Sequence, residues 1–265
     1  MTLGAKLLAA AALVTAAVGA ETGAGATMKA APPAVIAIPP PAVAPVAPVS
    51  AVGKTAKAER EPECMRIRGA VACVGADDSD RPGITIEDTE PDKSHGVVEY
   101  YLNGYLGTKY MIHHLAGSGE LKGTRALGRV VTFRVARYEG GHRVKTSRWK
   151  TVRNLTKYPV PRHTQITPAG ARAQSKACTT VAGAALTCFN ERSTKIFACD
   201  TSADKREVRA EYFVGGDPTA RYEIHQLAGP GTCGKAQHGK LSISKYRAAV
   251  FGERYRYSTG DYRYN

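Results

Sequence analysis

Residues 88–119 of the chain read DTEPDKSHGVVEYYLNGYLGTKYMIHHLAGSG, and residues 200–231 read DTSADKREVRAEYFVGGDPTARYEIHQLAGPG. When the match is extended back to Ile84 and Ile196, about 15 of about 36 positions are identical at a constant offset of about 112 residues. Unrelated segments of this length share only a handful of identities. An internal repeat is therefore the first feature to interpret, because a missed repeat leads to a wrong fold.

The repeated stretch predicts a β-hairpin. In the second copy Ala210, Tyr212 and Val214 alternate with the residues between them, the period of two that is typical of a strand with one buried face. The glycine-rich segment 215–218 then provides a turn, as Asn103-Gly104 does in the first copy. Further strands are expected at 130–136, 142–152 and 241–251.

The pattern predicts an all-β fold of two tandem, internally duplicated, small antiparallel β-sandwich or open-barrel domains. Each domain should contain roughly five to seven strands, within the usual range for such sheets. We place β repeat 1 at 62–152 and β repeat 2 at 177–265, joined by a basic connector at 153–176. No helical periodicity is recognisable beyond the N-terminal region.

The N-terminal region predicts secretion. Residues 1–20 contain an almost wholly apolar run after Lys6, and they end in small residues suited to signal peptidase. The run is short for a membrane span, so an uncleaved anchor is the less favoured alternative. Residues 21–61 are rich in Ala and Pro, which predicts an extended disordered linker. No later apolar run reaches spanning length, so we expect no integral membrane span in the mature chain.

The six cysteines follow the repeat, although six cysteines alone allow fifteen pairings. Each repeat begins with one pair of cysteines at similar positions, and the remaining two cysteines, both in repeat 2, lack counterparts in repeat 1. The favoured disulfides are Cys64–Cys73, Cys178–Cys188 and Cys199–Cys233. A secreted protein favours disulfides, whereas a zinc site is disfavoured because no Cys-x-x-Cys spacing is present.

Catalytic candidates are weak. Strand alternation places Glu99 and His113 on one face of the hairpin and Glu211 and His225 on the same face of its copy. Such pairs could act as general acid and base or hold a metal, but the favoured interpretation is a solvated outer face, because an active site is seldom needed twice. His114, which becomes Gln226 in repeat 2, is expected to point inward with a hydrogen-bond partner.

The sequence predicts no cofactor and no metal site. Asp78, Asp80 and Gly83 resemble the start of a calcium loop, but Thr89 stands where a bidentate Glu is required. An exposed acidic loop is the favoured interpretation. The Ser and His residues also lack the contexts of known hydrolase motifs.

Basic residues are unevenly distributed in a chain whose formal net charge is +14. Most of the excess lies between 129 and 162, with a second patch predicted as a C-terminal hairpin around 258–261. Cations interleaved with aromatic rings suit a polyanion. The predicted binding residues are Arg134, Arg137, Arg143, Lys145, Arg148, Trp149, Lys150, Arg254, Tyr255, Arg256, Tyr257, Tyr262 and Arg263.

These features favour a secreted, non-enzymatic binding protein with a basic, Tyr-rich β surface. The expected partner is an extracellular polyanion, such as nucleic acid, an acidic glycan or teichoic acid, or a protein such as a protease to be inhibited. For a protein partner, the turns at 103–108 and 215–220 would make the contact. The alternatives are a secreted hydrolase using the Glu and His pairs, and a cell-wall or surface structural protein tethered through the Pro-rich linker.

Overall fold

Alternating apolar side chains fold into strands throughout the described part of the chain. A computed structural model describes residues 61–76, 82–125, 128–155, 165–252 and 256–265, which belong to one compact unit. The expected signal peptide, most of the expected linker, and Asp78 and Asp80 lie outside these residues. Within them, no helix is long and apolar enough to cross a membrane.

In the described residues, nine strands belong to repeat 1, more than the five to seven expected. They are β1 (Glu63–Ile67), β2 (Ala70–Ala76), β3 (Pro82–Asp88), β4 (His95–Leu102), β5 (Tyr105–His114), β6 (Leu121–Arg125), β7 (Val131–Glu139), β8 (His142–Thr146) and β9 (Lys150–Val152).

In the described part of repeat 2, nine more strands follow a short helix. The elements are α1 (Pro168–Ala173), β10 (Ala177–Val181), β11 (Ala185–Phe189), β12 (Lys195–Asp200), β13 (Glu207–Val214), β14 (Ala220–Gln226), β15 (Cys233–Gln237), β16 (Ile243–Phe251), β17 (Arg256–Thr259) and β18 (Arg263–Tyr264).

The strands form three antiparallel sheets. Each repeat contributes one four-stranded sheet, in the orders β1-β2-β3-β6 and β10-β11-β12-β15, which are equivalent. Strands from both repeats join in a ten-stranded sheet of order β17-β16-β13-β14-β5-β4-β7-β8, with β9 on β7 and β18 on β16. The all-β, antiparallel fold expected from the alternation is confirmed.

The two repeats meet where β5 pairs with β14, and this junction has a local two-fold relation. Met111 faces Glu223, and these two residues occupy the same position in their repeats. The Tyr110 hydroxyl donates to the carbonyl of Lys235 at 2.8 Å, and the equivalent Tyr222 hydroxyl donates to the carbonyl of Gly123 at 2.8 Å. Each repeat therefore holds the other through the same contact.

The core lies between the small sheets and one face of the large sheet. Ile84 and Ile86 from one small sheet, and Ile196 from the other, are fully buried against it. Tyr100 and Tyr212, equivalent positions, are 5% and 2% exposed, and each stacks on a neighbouring tyrosine. Burying a large apolar side chain stabilises the fold by roughly 1.5–3 kcal/mol, so this shared core ties the layers together.

All three expected disulfides are confirmed. They are Cys64–Cys73, Cys178–Cys188 and Cys199–Cys233, and each joins directly paired residues of neighbouring strands. No cysteine remains free in the described residues. The predicted turns are also found, because Asn103 and Gly104 both adopt positive φ, as do Gly215 and Gly216.

Two local predictions are wrong. The expected C-terminal hairpin does not form, because β17 and β18 both pair antiparallel with β16 and follow one another along its edge. The helix α1 was not expected from periodicity. It begins at Pro168 behind a Thr167 cap whose side chain accepts from the backbone N–H of Gly170, and at six residues it is too short to show a period.

Candidate functional site

The ten-stranded sheet has a second face, turned away from the core, on which polar side chains are concentrated. We call this the outer face. The same alternation that sends Tyr110 and Ile112 into the core sends the side chains between and beside them to the outer face. A row of directly paired residues across six strands reads Arg134, Glu99, Met111, Glu223, Glu211 and Arg247.

The expectation that Glu99, His113, Glu211 and His225 lie on a solvated face is wrong. Their exposed fractions are 0%, 2%, 0% and 1%. They do point away from the core, but long guanidinium and aromatic side chains fold over them. Strand periodicity identifies a face, whereas the cover over that face depends on side chains from other strands.

One cluster lies at the repeat-1 end of the row, and we call it station 1: Glu99, Arg134 and Trp149. Arg134 donates to Glu99 Oε2 from Nε at 3.0 Å and from Nη2 at 2.6 Å, and its guanidinium lies 4.4 Å from the Trp149 ring centre. Tyr138 also donates to Glu99, at 3.0 Å. Burial acts to raise the pKa of Glu99, but the charges of Lys109 and Arg134 outweigh burial and leave the pKa below its usual value.

A matching cluster lies at the other end, and we call it station 2: Glu211, Arg247 and Tyr262. Arg247 donates to Glu211 Oε2 from Nε at 2.9 Å and from Nη2 at 2.5 Å, and its guanidinium lies 4.2 Å from the Tyr262 ring centre. Lys245 lies 4.3 Å from the same ring. Both stations therefore consist of a buried carboxylate, an arginine that binds it and an aromatic ring under the guanidinium.

Between the stations, one glutamate is shared by both repeats. Glu223 faces its equivalent, Met111, at the local two-fold relation. The equivalent histidines His113 and His225 contact the two carboxylate oxygens of Glu223 at 3.0 and 2.8 Å. The expected pairs, Glu99 with His113 and Glu211 with His225, are therefore not the ones that form. The two copies of the histidine converge on a single cluster, so duplication of these residues does not imply duplicate sites.

The central cluster extends outward on both sides. His95 Nε2 lies 2.9 Å from His113 Nδ1, and Glu207 contacts the ring of His225 at the equivalent place. Desolvation lowers the pKa of His95 to about 4 and also lowers that of His113. Burial alone would raise the pKa of Glu223, but the neighbouring histidines and Arg221 lower it well below the usual value.

The outer face is layered by charge. The side chains of Glu99, Glu211 and Glu223 are 0%, 0% and 4% exposed. The arginine side chains around them are more accessible, with exposed fractions of 16–17% for the station arginines, 21% for Arg209 and Arg221, and 43% for Arg143. Glu207, at 25%, is the more exposed carboxylate of the cluster. On this face the arginine side chains are therefore nearer to solvent than Glu99, Glu211 and Glu223.

The basic patch expected from the sequence is divided by the structure. Arg134, Arg143 and Trp149 belong to the outer face, whereas Arg137 is buried on the opposite side, bound to Glu90 and Asp92. Lys150 pairs with Glu63 at 2.7 Å. Of the other expected residues, Lys145, Arg148 and Arg263 are exposed, and Tyr262 belongs to station 2. Arg256 and Tyr257 lie in β17, but their side chains are outside the described part of the structure. Arg254 and Tyr255 are outside the described residues.

Several outer-face residues carried no recognisable sequence signal. His95, Arg209, Glu223 and Arg247 follow the strand parity of the predicted residues, but the contacts that they make depend on how the strands pair. His114 and Gln226 point inward as predicted, and both are buried. His114 Nε2 lies 2.6 Å from the carbonyl oxygen of Glu120.

The described residues show no three His, Cys, Asp or Glu side chains arranged to hold a metal ion. A polar groove beside the C-terminal end of α1 is lined by residues such as Arg192, Lys195 and Lys240 and lies on the small sheet of repeat 2. Its lining includes none of the clustered groups of the outer face, so the outer face remains the candidate site.

Comparison with known proteins adds little. No protein-family model and no curated protein matches the chain. Among solved structures, the chain is similar to the FN1–FN3 domains of chicken CNTN1, with 9% identity and a TM-score of 0.25 over 72% of this chain. The match covers 63% of that structure, less than two thirds of its length.

Proposed function

We propose that this chain is a secreted, non-enzymatic binding protein whose outer face recognises an extracellular polyanion. The observation that supports this most strongly is the layering of charge, with carboxylates beneath guanidiniums. An approaching anion meets N–H donors first, while the carboxylates below hold each guanidinium in a fixed orientation. Pre-organised donors of this kind are well suited to phosphate, sulfate or carboxylate oxygens.

The burial of the central cluster supports binding over catalysis. A hydrolase would need its acid and base to reach a substrate, but the side chains of His113 and Glu223 are 3% and 4% exposed. The carboxylates of Glu99 and Glu211 are each bound by an arginine. The pKa of Glu99 is also lowered, which makes its carboxylate a weak base.

The three disulfides support an oxidising compartment, as expected for secretion. In this proposal residues 1–20 direct export and residues 21–61 hold the β unit away from the cell wall. A protein partner bound through the turns at 103–108 and 215–220 is the competing proposal, and it predicts binding that depends little on ionic strength.

The test compares neutralised cations on and off the outer face. Arg143→Gln with Lys245→Gln removes two charges from the outer face while keeping the glutamate, arginine and aromatic ring of each station, although Arg143 also contacts Glu99 and Lys245 also packs on Tyr262. Arg172→Gln with Lys176→Gln removes the same charge from exposed positions at and beside α1. Binding of a labelled 20-residue oligodeoxythymidine and of heparin is followed by fluorescence anisotropy and by competition.

The outer-face variant should bind about twentyfold more weakly at 0.1 M salt, because each lost contact removes about 0.7 from the salt slope. The α1 variant should bind like the unmodified protein, apart from the general effect of net charge. Equal weakening by both variants, or no binding of either probe, would show that the outer face is not the binding surface.

A further inference from the structure

The two stations are equivalent in design and belong to different repeats. In each, an arginine donates twice to one oxygen of a fully buried glutamate and lies about 4 Å over an aromatic ring. The arginines come from β7 and β16, which occupy equivalent places in the sheet order. A one-residue irregularity between Phe213 and Val214 brings Arg247, rather than its neighbour, opposite Glu211.

The separation of the stations follows from the sheet order. β7 and β16 are separated by β4, β5, β14 and β13, which gives five gaps between neighbouring strands. At about 4.8 Å per gap the two arginines lie roughly 24 Å apart across the strands. The stretch between them carries further cations on the outer layer, including Lys109, Arg209 and Arg221.

Each station also presents part of a ring to solvent. Trp149 is 39% exposed, and Tyr262 is partly exposed beside Tyr264, which is 75% exposed. Free phosphate or sulfate groups need only the cations, whereas unpaired nucleobases also stack on such rings. Cation and ring are therefore combined at both ends of one cationic stripe.

We propose that the outer face binds single-stranded nucleic acid across its strands, with one base stacked at each station and the intervening phosphates on the cations between them. This inference rests on the proposed polyanion function and narrows it to one ligand class. A duplex keeps its bases stacked on one another and unavailable to the rings. A base-free phosphodiester polymer satisfies the cations and leaves the rings unused.

A length series of oligodeoxythymidines tests the spacing. At the 3.4 Å rise of a stacked strand a trinucleotide covers about 10 Å and cannot reach both stations, whereas a decanucleotide covers about 34 Å and can. The trinucleotide should bind weakly with two molecules per chain, and the decanucleotide should bind with one. Joining the two contacts should tighten binding by about 100-fold or more.

Ring variants test the stations separately. Trp149→Leu and Tyr262→Leu keep an apolar side chain and remove the aromatic face. Each should weaken decanucleotide binding by between about 5- and 150-fold while changing trinucleotide affinity by about twofold, because the other station remains. Leu121→Ala, at a position 67% exposed on β6, is the control away from the outer face and should change neither.

The outcomes separate this inference from the proposed function. If poly(glycerol phosphate) or a ten-base-pair duplex binds as tightly as the decanucleotide, the single-stranded assignment is overturned while the polyanion site stands. A smooth rise of affinity with length, or a ring variant without effect, overturns the two-station arrangement. If no anionic polymer binds, the proposed function fails first. Circular dichroism of every variant confirms that the fold is retained.

Discussion

Acidification should destabilise the fold through His238, a ring that joins the two repeats. His238 Nε2 lies 2.9 Å from the Tyr212 hydroxyl, and its Nδ1 lies 3.3 Å from Thr124 Oγ1 of the other repeat. The ring also packs edge-on against Tyr222, with the ring centres 5.0 Å apart. Burial among these groups lowers the pKa of His238 to about 4, from the usual value of about 6.5 for histidine.

The sign follows from proton uptake. Between pH 6.5 and pH 4 the unfolded chain binds a proton at His238 and the folded chain does not, so stability is full above pH 6.5 and falls as the pH falls towards 4. The two pKa values imply a loss of about 2 kcal/mol at pH 5 and about 3.4 kcal/mol well below pH 4. Because solvent reaches part of the His238 ring, these losses of stability are upper limits.

The assay compares urea unfolding of the unmodified protein and of His238→Gln at pH 7 and pH 5, followed by far-ultraviolet circular dichroism. Gln stays neutral at both pH values and can hydrogen bond to Tyr212. Other titrating groups contribute equally to both proteins, so the stability difference between them should shrink by up to about 2 kcal/mol on going to pH 5. A difference that does not change with pH would refute the reasoning.

Two further predictions concern the disulfides and the central glutamate. Replacing Cys199 and Cys233 with Ala should lower the free energy of unfolding by about 3.8 kcal/mol, whereas removing either short-loop disulfide should lower it by about 2.6 kcal/mol. The difference arises because the Cys199–Cys233 disulfide closes a loop of 34 residues and the other two close loops of 9 or 10. Equal losses in chemical denaturation would contradict this prediction. Glu223→Gln should cost on the order of 3 kcal/mol at pH 7, since it leaves Arg221 without its buried counter-charge. Met111→Leu at the facing position should cost less than about 1.5 kcal/mol, and a larger loss there than at Glu223 would count against the buried network.

Features set by neighbouring residues in the sequence could be predicted. The period of two predicted the strands and their faces, and Asn103-Gly104 predicted a turn. Cys199 and Cys233 were predicted to form a disulfide because both lack counterparts in repeat 1. The inward position of His114 followed from the same alternation. In each case the physical constraint acts over a few residues or is repeated in the second copy.

Features that depend on contacts between the repeats could not be predicted. Nothing local to β5 indicates that its free edge pairs with β14, yet that pairing places His113 and His225 on one Glu223. The burial of Glu99 likewise depends on Arg134 from another strand. Sequence reasoning therefore found the face that carries the site and misjudged its solvent exposure, since cover by long side chains has no period.

The most direct test of the account is the salt dependence of oligodeoxythymidine binding to the unmodified protein. If four to six outer-face cations contact phosphates, the logarithm of the association constant should fall against the logarithm of salt concentration with a slope of about −3 to −4. A slope near zero would contradict a cationic binding face, even if the oligonucleotide bound tightly.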